Sequence, residues 1–177
     1  WGSRLEFSGD LRLRANGVYQ EDGNNPTIPD FQAINEAGGA AAAGEDVFLA
    51  TNEDVLRGQV RLRLGLEAAV SDTFSVVTRL ATGNDTDPTT RNQRLGTYNR
   101  PFDIFVDRAY GEWRPDDLWS TQAFTFRAGR LPNPFHATSL LFDDDLTFDG
   151  VTAAYRGELV DGVDLVANLG GFTLLAE

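Results

Sequence analysis

All fifteen basic side chains of this 177-residue sequence are arginines, and most of them recur at every second position of short, strand-like segments. A guanidinium stays ionised at any accessible pH and presents a planar fork of donors suited to carboxylates and other oxyanions. A row of them on one wall can draw anions, pair with acids, or do both. The candidates are Arg12, Arg14, Arg57, Arg61, Arg63, Arg79, Arg108 and Arg127. The matching acids are Asp143, Asp144 and Asp145, consecutive residues in a long connection that opens with Pro132 and Pro134. Proline fixes φ, so that connection starts stiffly. Opposed charges across a narrow wet passage would focus the field, orient dipolar solutes and tune ion passage. The same arginines can instead pair with Glu6, Asp10, Glu67 and Glu112 as networks that stabilise the wall.

Other chemistry is poorly supported. There is no cysteine, which removes disulfides, thiolate zinc sites and thiol catalysis. The only histidine, His136, has Ser139 three residues on, but nothing in the sequence supplies an orienting group or an oxyanion hole, so no enzyme is expected. Asp85, Asp87 and Asp143–Asp145 are oxygen ligands without an EF-hand spacing, so no metal or cofactor site is expected. A net charge of −12 argues against a nucleic-acid partner.

The elements that position the arginines follow from a period of two, because successive side chains in a strand point to opposite faces. From Arg4 to Asn16 the alternation is unbroken: Leu5, Phe7, Gly9, Leu11, Leu13 and Ala15 share one parity, and Arg4, Glu6, Ser8, Asp10, Arg12 and Arg14 the other. Val55 to Val70 repeats the pattern, with Leu56, Val60, Leu62, Leu64 and Leu66 opposite Arg57, Arg61, Arg63 and Glu67. Further strands are expected over Thr73 to Thr82, Ile104 to Arg114, Thr121 to Arg130, Phe148 to Arg156 and Val163 to Leu174. In the fourth, Phe105 falls on the parity of Asp103 and Asp107, which a bulge or a stretch beyond the membrane would explain. No helix of normal length is expected. The Ala-rich stretch Ala33 to Gly44 could hold one short turn, and Gly38, Gly39 and Gly44 oppose more.

Connections alternate in length. Gly17 to Asp54, Gly83 to Asp103 and Leu131 to Thr147 are long; Ser71-Asp72, Pro115 to Ser120 and Gly157 to Gly162 are short. Strand barrels of outer membranes sort their loops in this way, short on one side and long on the other. Trp1, Phe74, Trp113 and Trp119 fall at short-turn ends, and Tyr19 and Phe102 at long-loop ends, as interfacial aromatic girdles require. No apolar run approaches the roughly 18–20 residues of a membrane helix, whereas a barrel strand needs only about 9–11 alternating ones. Seven strands are an odd number and would not close, so the expectation is one partial barrel domain over residues 1–177, a mature N-terminal portion of a larger barrel; the alternatives are an eight-stranded barrel with one strand missed and a soluble all-β sandwich.

The run Val106-Asp107-Arg108-Ala109-Tyr110-Gly111-Glu112-Trp113-Arg114-Pro115, followed by Arg127-Ala128-Gly129-Arg130-Leu131-Pro132-Asn133-Pro134-Phe135, resembles the putative-porin family. Asp149-Gly150-Val151 and Asn168-Leu169-Gly170-Gly171-Phe172 resemble it too, and the likeness covers most of the chain from Val55 onward. That resemblance implies an antiparallel transmembrane β-barrel of about 16–18 strands, a homo-trimer whose third long loop folds into the pore. It implies an outer-membrane location in a Gram-negative bacterium, with lipid and lipopolysaccharide around the barrel and small polar or ionic solutes diffusing through it. Phosphate-selective relatives line their constriction with lysines; this chain has none, which speaks against phosphate selectivity. The competing expectation is a structural barrel that anchors a partner or surface layer through its long acidic loops.

Overall fold

The structure, a computed structural model, describes residues 4–49, 51–83, 90–96, 101–115, 124–138, 140–143, 145–160 and 162–173. Trp1, Trp119, Asp85, Asp87, Ser139, Asp144 and the ends of two expected strands (121–123 and 174) lie outside these residues.

The fold is all-β. Strands β1 (Leu5–Val18), β2 (Val55–Ala69), β3 (Phe74–Thr82), β5 (Ile104–Trp113), β6 (Phe124–Pro132), β7 (Thr147–Val160) and β8 (Val163–Phe172) form one antiparallel sheet in that order. The two-residue β4 (Gln93–Arg94) pairs with β2 and was not expected from the sequence, since two residues are too few to show a period. Among the described residues no helix is long and apolar enough to cross a membrane. The β7–β8 connection is tighter than expected: pairing runs through Gly157↔Leu165 and Glu158↔Asp164 to Val160↔Val163.

Chain contacts group the protein into two compact units: Trp1–Arg12, Arg61–Gln93 and Pro101–Glu177 form one, and Leu13–Val60 with Arg94–Arg100 the other. In the second, the first long connection is folded rather than open. Asp30 caps α1 (Phe31–Glu36) by accepting the Ala33 amide at 3.0 Å, which satisfies one of the orphan donors of a helix start. Gly38 and Gly39, both at positive φ, end α1 before α2 (Ala40–Ala43), so the glycines limit helix length as expected but permit two short segments instead of one turn. A bridge between Pro29 and Phe48 ties the connection's two ends together.

In the first unit, the expected bulge is present. Arg79 pairs with Arg108 but Leu80 pairs with Val106, leaving Asp107 as the extra residue of β5. An extra residue turns two neighbouring side chains to one face. Asp107 and Arg108 therefore both join Tyr110 and Glu112, while Val106 and Ala109 point away.

The distribution of burial is inverted relative to a water-soluble sheet. Among the described residues the buried aliphatic side chains are Val60, Ala81 and Leu131, with Pro115 also covered, against the buried polar Thr82, Asp107, Glu112, Asp145 and Thr152. Phe7, Leu11 and Leu13 of β1 are 65–76% exposed, and Leu64 of β2 is 53% exposed. In water, contiguous apolar rows of this kind would be covered. Here the covered face is the charged one.

Candidate functional site

The charged face of the first unit is built from carboxylates that each hold two arginines. On β1, Asp10 accepts from Arg61 Nη2 at 2.9 Å and Arg63 Nε at 2.5 Å; both arginines sit on β2, two residues apart and hence on one face. On β5, Asp107 is only 2% exposed and accepts from Arg79 Nε at 2.5 Å and Arg91 Nε at 2.7 Å. Glu112, 4% exposed, accepts from Arg127 Nε at 2.5 Å and also binds Arg114. Register makes the last pair, since Glu112 and Arg127 are direct cross-strand partners. Buried carboxylates remain ionised only with such partners.

The third long connection, between β6 and β7, lies against this face. Asp145 Oδ1 is 3.8 Å from Nη1 of both Arg61 and Arg63, and its Oδ2 accepts the Arg91 amide at 3.3 Å. Phe142 stacks on Phe148 with centroids 5.4 Å apart, and Phe135 meets Phe172 edge-on at 6.1 Å. Phe148 and Phe172 belong to the polar parity, because Leu131 pairs with Phe148 and Gly150 with Phe172 in the rows above Arg127↔Thr152. Two aromatic contacts and one carboxylate thus hold the connection down. The three aspartates play different parts: Asp143 Oδ1 accepts the Asp145 amide at 2.8 Å and shapes a turn, Asp145 reaches the arginines, and Asp144 lies outside the described residues.

The remaining expected residues divide. Arg12 donates to Asn92 Oδ1 at 2.8 Å. Arg108 lies on the same face as Arg79 and directly opposite it, and among the described residues no carboxylate reaches its guanidinium. Arg14 and Arg57 are exposed residues of the second unit, and neither makes an ion pair among the described residues. Of the four expected acid partners, Asp10 and Glu112 are used, while Glu6 and Glu67 make no ion pair among the described residues. Arg91 was missed by the sequence reading. It sits in the second long connection, where no periodicity marks it, and Thr82 Oγ1 holds it in place by donating to its carbonyl at 2.8 Å.

The opposite face is mainly apolar, and among the described residues it carries one ion pair, Arg130–Asp149. Phe74, Trp113, Phe126 and Leu169 rim an apolar depression of about 670 Å³ floored by Gly111, Ala128 and Gly171. Trp113 and Phe126 are cross-strand partners with centroids 5.4 Å apart, and Phe124 meets Tyr155 at 5.0 Å, all near the short-turn ends of β5–β7. On this face too, nearer the long connections, Arg130 binds Asp149 through two bonds of 2.8 Å.

A sheet with greasy side chains outside and paired charges beneath is the signature of strands that face hydrocarbon on one side and water on the other. The family model described as putative porin matches residues 1–177, the whole chain. The chain belongs to the putative-porin family. Among curated proteins none matches it. Membership makes the protein a porin-like, membrane-embedded channel in general terms. In this porin the leucine rows of β1 and β2 are exposed, and the paired charges lie on the other face of the sheet.

Proposed function

We propose that this porin forms a water-filled channel in the outer membrane of a Gram-negative bacterium and passes small polar or ionic solutes by passive diffusion, without catalysis. The observation that carries the reading is the inverted burial: Asp107 and Glu112 are covered while Leu11, Leu13 and Leu64 are open. In lipid every strand must be paired, so this chain works as part of a closed wall. The wall's charged side is formed by Arg12, Arg61, Arg63, Arg79, Arg108 and Arg127, with Arg14 and Arg57 on the same parity of β1 and β2 further toward the long connections. The Asp143–Asp145 connection narrows the passage, its Asp145 facing Arg61 and Arg63. Surrounding lipid and lipopolysaccharide, and assembly as a homo-trimer, complete the proposal.

Planar-bilayer recording tests it. Purified protein should insert as discrete, ohmic conductance steps, and vesicles containing it should swell with small sugars. A protein that inserts stably yet conducts nothing would overturn the channel reading. That outcome would favour a structural barrel anchoring a partner through its first long connection, a second reading supported by the exposed Tyr19 and Phe31 there.

A further inference from the structure

The charge on the polar face does not cancel. Asp10, Asp107 and Glu112 are each shared by two arginines, so these three acids answer six positive charges, while Glu6 and Glu67 on the same parity make no ion pair among the described residues. Asp145 adds one more negative charge against Arg61 and Arg63, at the longer distance of 3.8 Å. Arg108 then stands without a carboxylate among the described residues. The bulge is the reason. It places Asp107 and Arg108 side by side on one face, and Asp107 is already taken by Arg79 and Arg91. Arg108 faces Arg79 directly across the β3–β5 pair, a like-charge pairing that is unfavourable on its own. Its Nε is buried and has no acceptor. A chain with a net charge of −12 thus carries a local positive surplus among the described residues of this wall, and Arg108 at the bulge has no carboxylate of its own.

We propose that Arg108, reinforced by Arg79, is a contact site for small inorganic anions and gives the channel a preference for anions over cations. The site rests on the channel reading above. An anion on the accessible part of the Arg108 guanidinium offsets the repulsion from Arg79 across the β3–β5 pair. The planar fork favours an oxyanion over a spherical halide, because it can donate two parallel bonds. Passage remains fast because the site is a single partly wetted side chain and not a closed cage.

The test is reversal potential in a KCl gradient, with sulfate added as a competing oxyanion. Wild-type protein should favour chloride, and millimolar sulfate should reduce chloride current. Arg108→Gln should cut the anion-to-cation permeability ratio by about twofold or more and abolish the sulfate effect, since focused pore fields act strongly on ions. Arg108→Lys should keep the chloride preference but lose most of the sulfate effect, which guards against a folding defect in the neutral variant. Arg130→Gln, on the apolar face, should change neither. Conducting channels that are cation-selective, or that keep both properties in Arg108→Gln, would overturn the assignment. Absence of conductance in wild type would instead remove the channel reading itself.

Discussion

Replacing Leu64 by arginine separates a membrane wall from a water-soluble sheet more sharply than any loss of a salt bridge. Leu64 is 53% exposed and stands tenth in the fifteen-residue β2. If the exposed face met water, Leu64→Arg would be a surface substitution, worth within roughly 0.5 kcal/mol either way. If it meets hydrocarbon, arginine near the midplane costs about 2–4 kcal/mol, and less toward the interfaces. A cost near 3 kcal/mol lowers the folding equilibrium by about a hundredfold. β2 is longer than the roughly 9–11 residues that span a bilayer, so its ends emerge from the hydrocarbon. Leu56, second in the strand and 80% exposed, should therefore tolerate arginine at a cost of about 0–1 kcal/mol. The discriminating quantity is the size of the Leu64 cost, about 2–4 kcal/mol in hydrocarbon against roughly 0.5 kcal/mol in water, with Leu56 as the shallow control. Reversible urea titrations of the protein in lipid vesicles, followed by tryptophan emission, measure both values. Equal costs at Leu64 and Leu56, or a near-zero cost at both, would refute the assignment of this face to lipid.

Asp107→Asn should destabilise the fold by about 3 kcal/mol in the same titration, because it strands Arg79 and Arg91 without their buried counter-charge. Asp145→Asn should loosen the third long connection while leaving the sheet intact, seen as a larger single-channel conductance and faster proteolysis between β6 and β7. Gly129→Ala should cost about 1–3 kcal/mol: φ there is +128°, and a Cβ would strike the Ala109 carbonyl oxygen and come within 2.9 Å of Tyr110 Cα. An unfolding midpoint equal to wild type would show that the strand can relax at that site. Arg130→Ala should matter little, since the Arg130–Asp149 pair is about half exposed on both sides, and a shift above about 1 kcal/mol would contradict that.

Strand existence and face were legible because both depend on a period-two signal carried within each segment. β1 and β2 keep that signal over fourteen and fifteen residues, and their limits fall close to the expected ones. The irregularity at Phe105 and Asp107 was readable as a bulge for the same reason: a break in parity has few physical causes. What could not be read was partnership between distant segments. Asp10 was visible as one of several acids on the charged parity, but its choice of Arg61 and Arg63 depends on register between β1 and β2. Arg91 and β4 lie in a connection with no repeating pattern, so neither announced itself. The seating of the third connection rests on Phe135, Phe142, Phe148 and Phe172, whose aromatic rings on or above the polar parity were unremarkable as isolated residues. The short helices of the first long connection were underestimated because alanine favours a helix while flanking glycines oppose it, and the balance is set by the Asp30 cap and the Pro29–Phe48 bridge.

The inside-out placement of apolar groups has a consequence for how such a chain reaches its native state. A soluble domain collapses because its own greasy residues find one another; here Leu11, Leu13 and Leu64 stay exposed on the sheet, and under the proposed reading they are covered by acyl chains. Before insertion the alternating strands are aggregation-prone edges in water. For a membrane-embedded chain of this kind, entry into the bilayer is therefore part of the folding reaction.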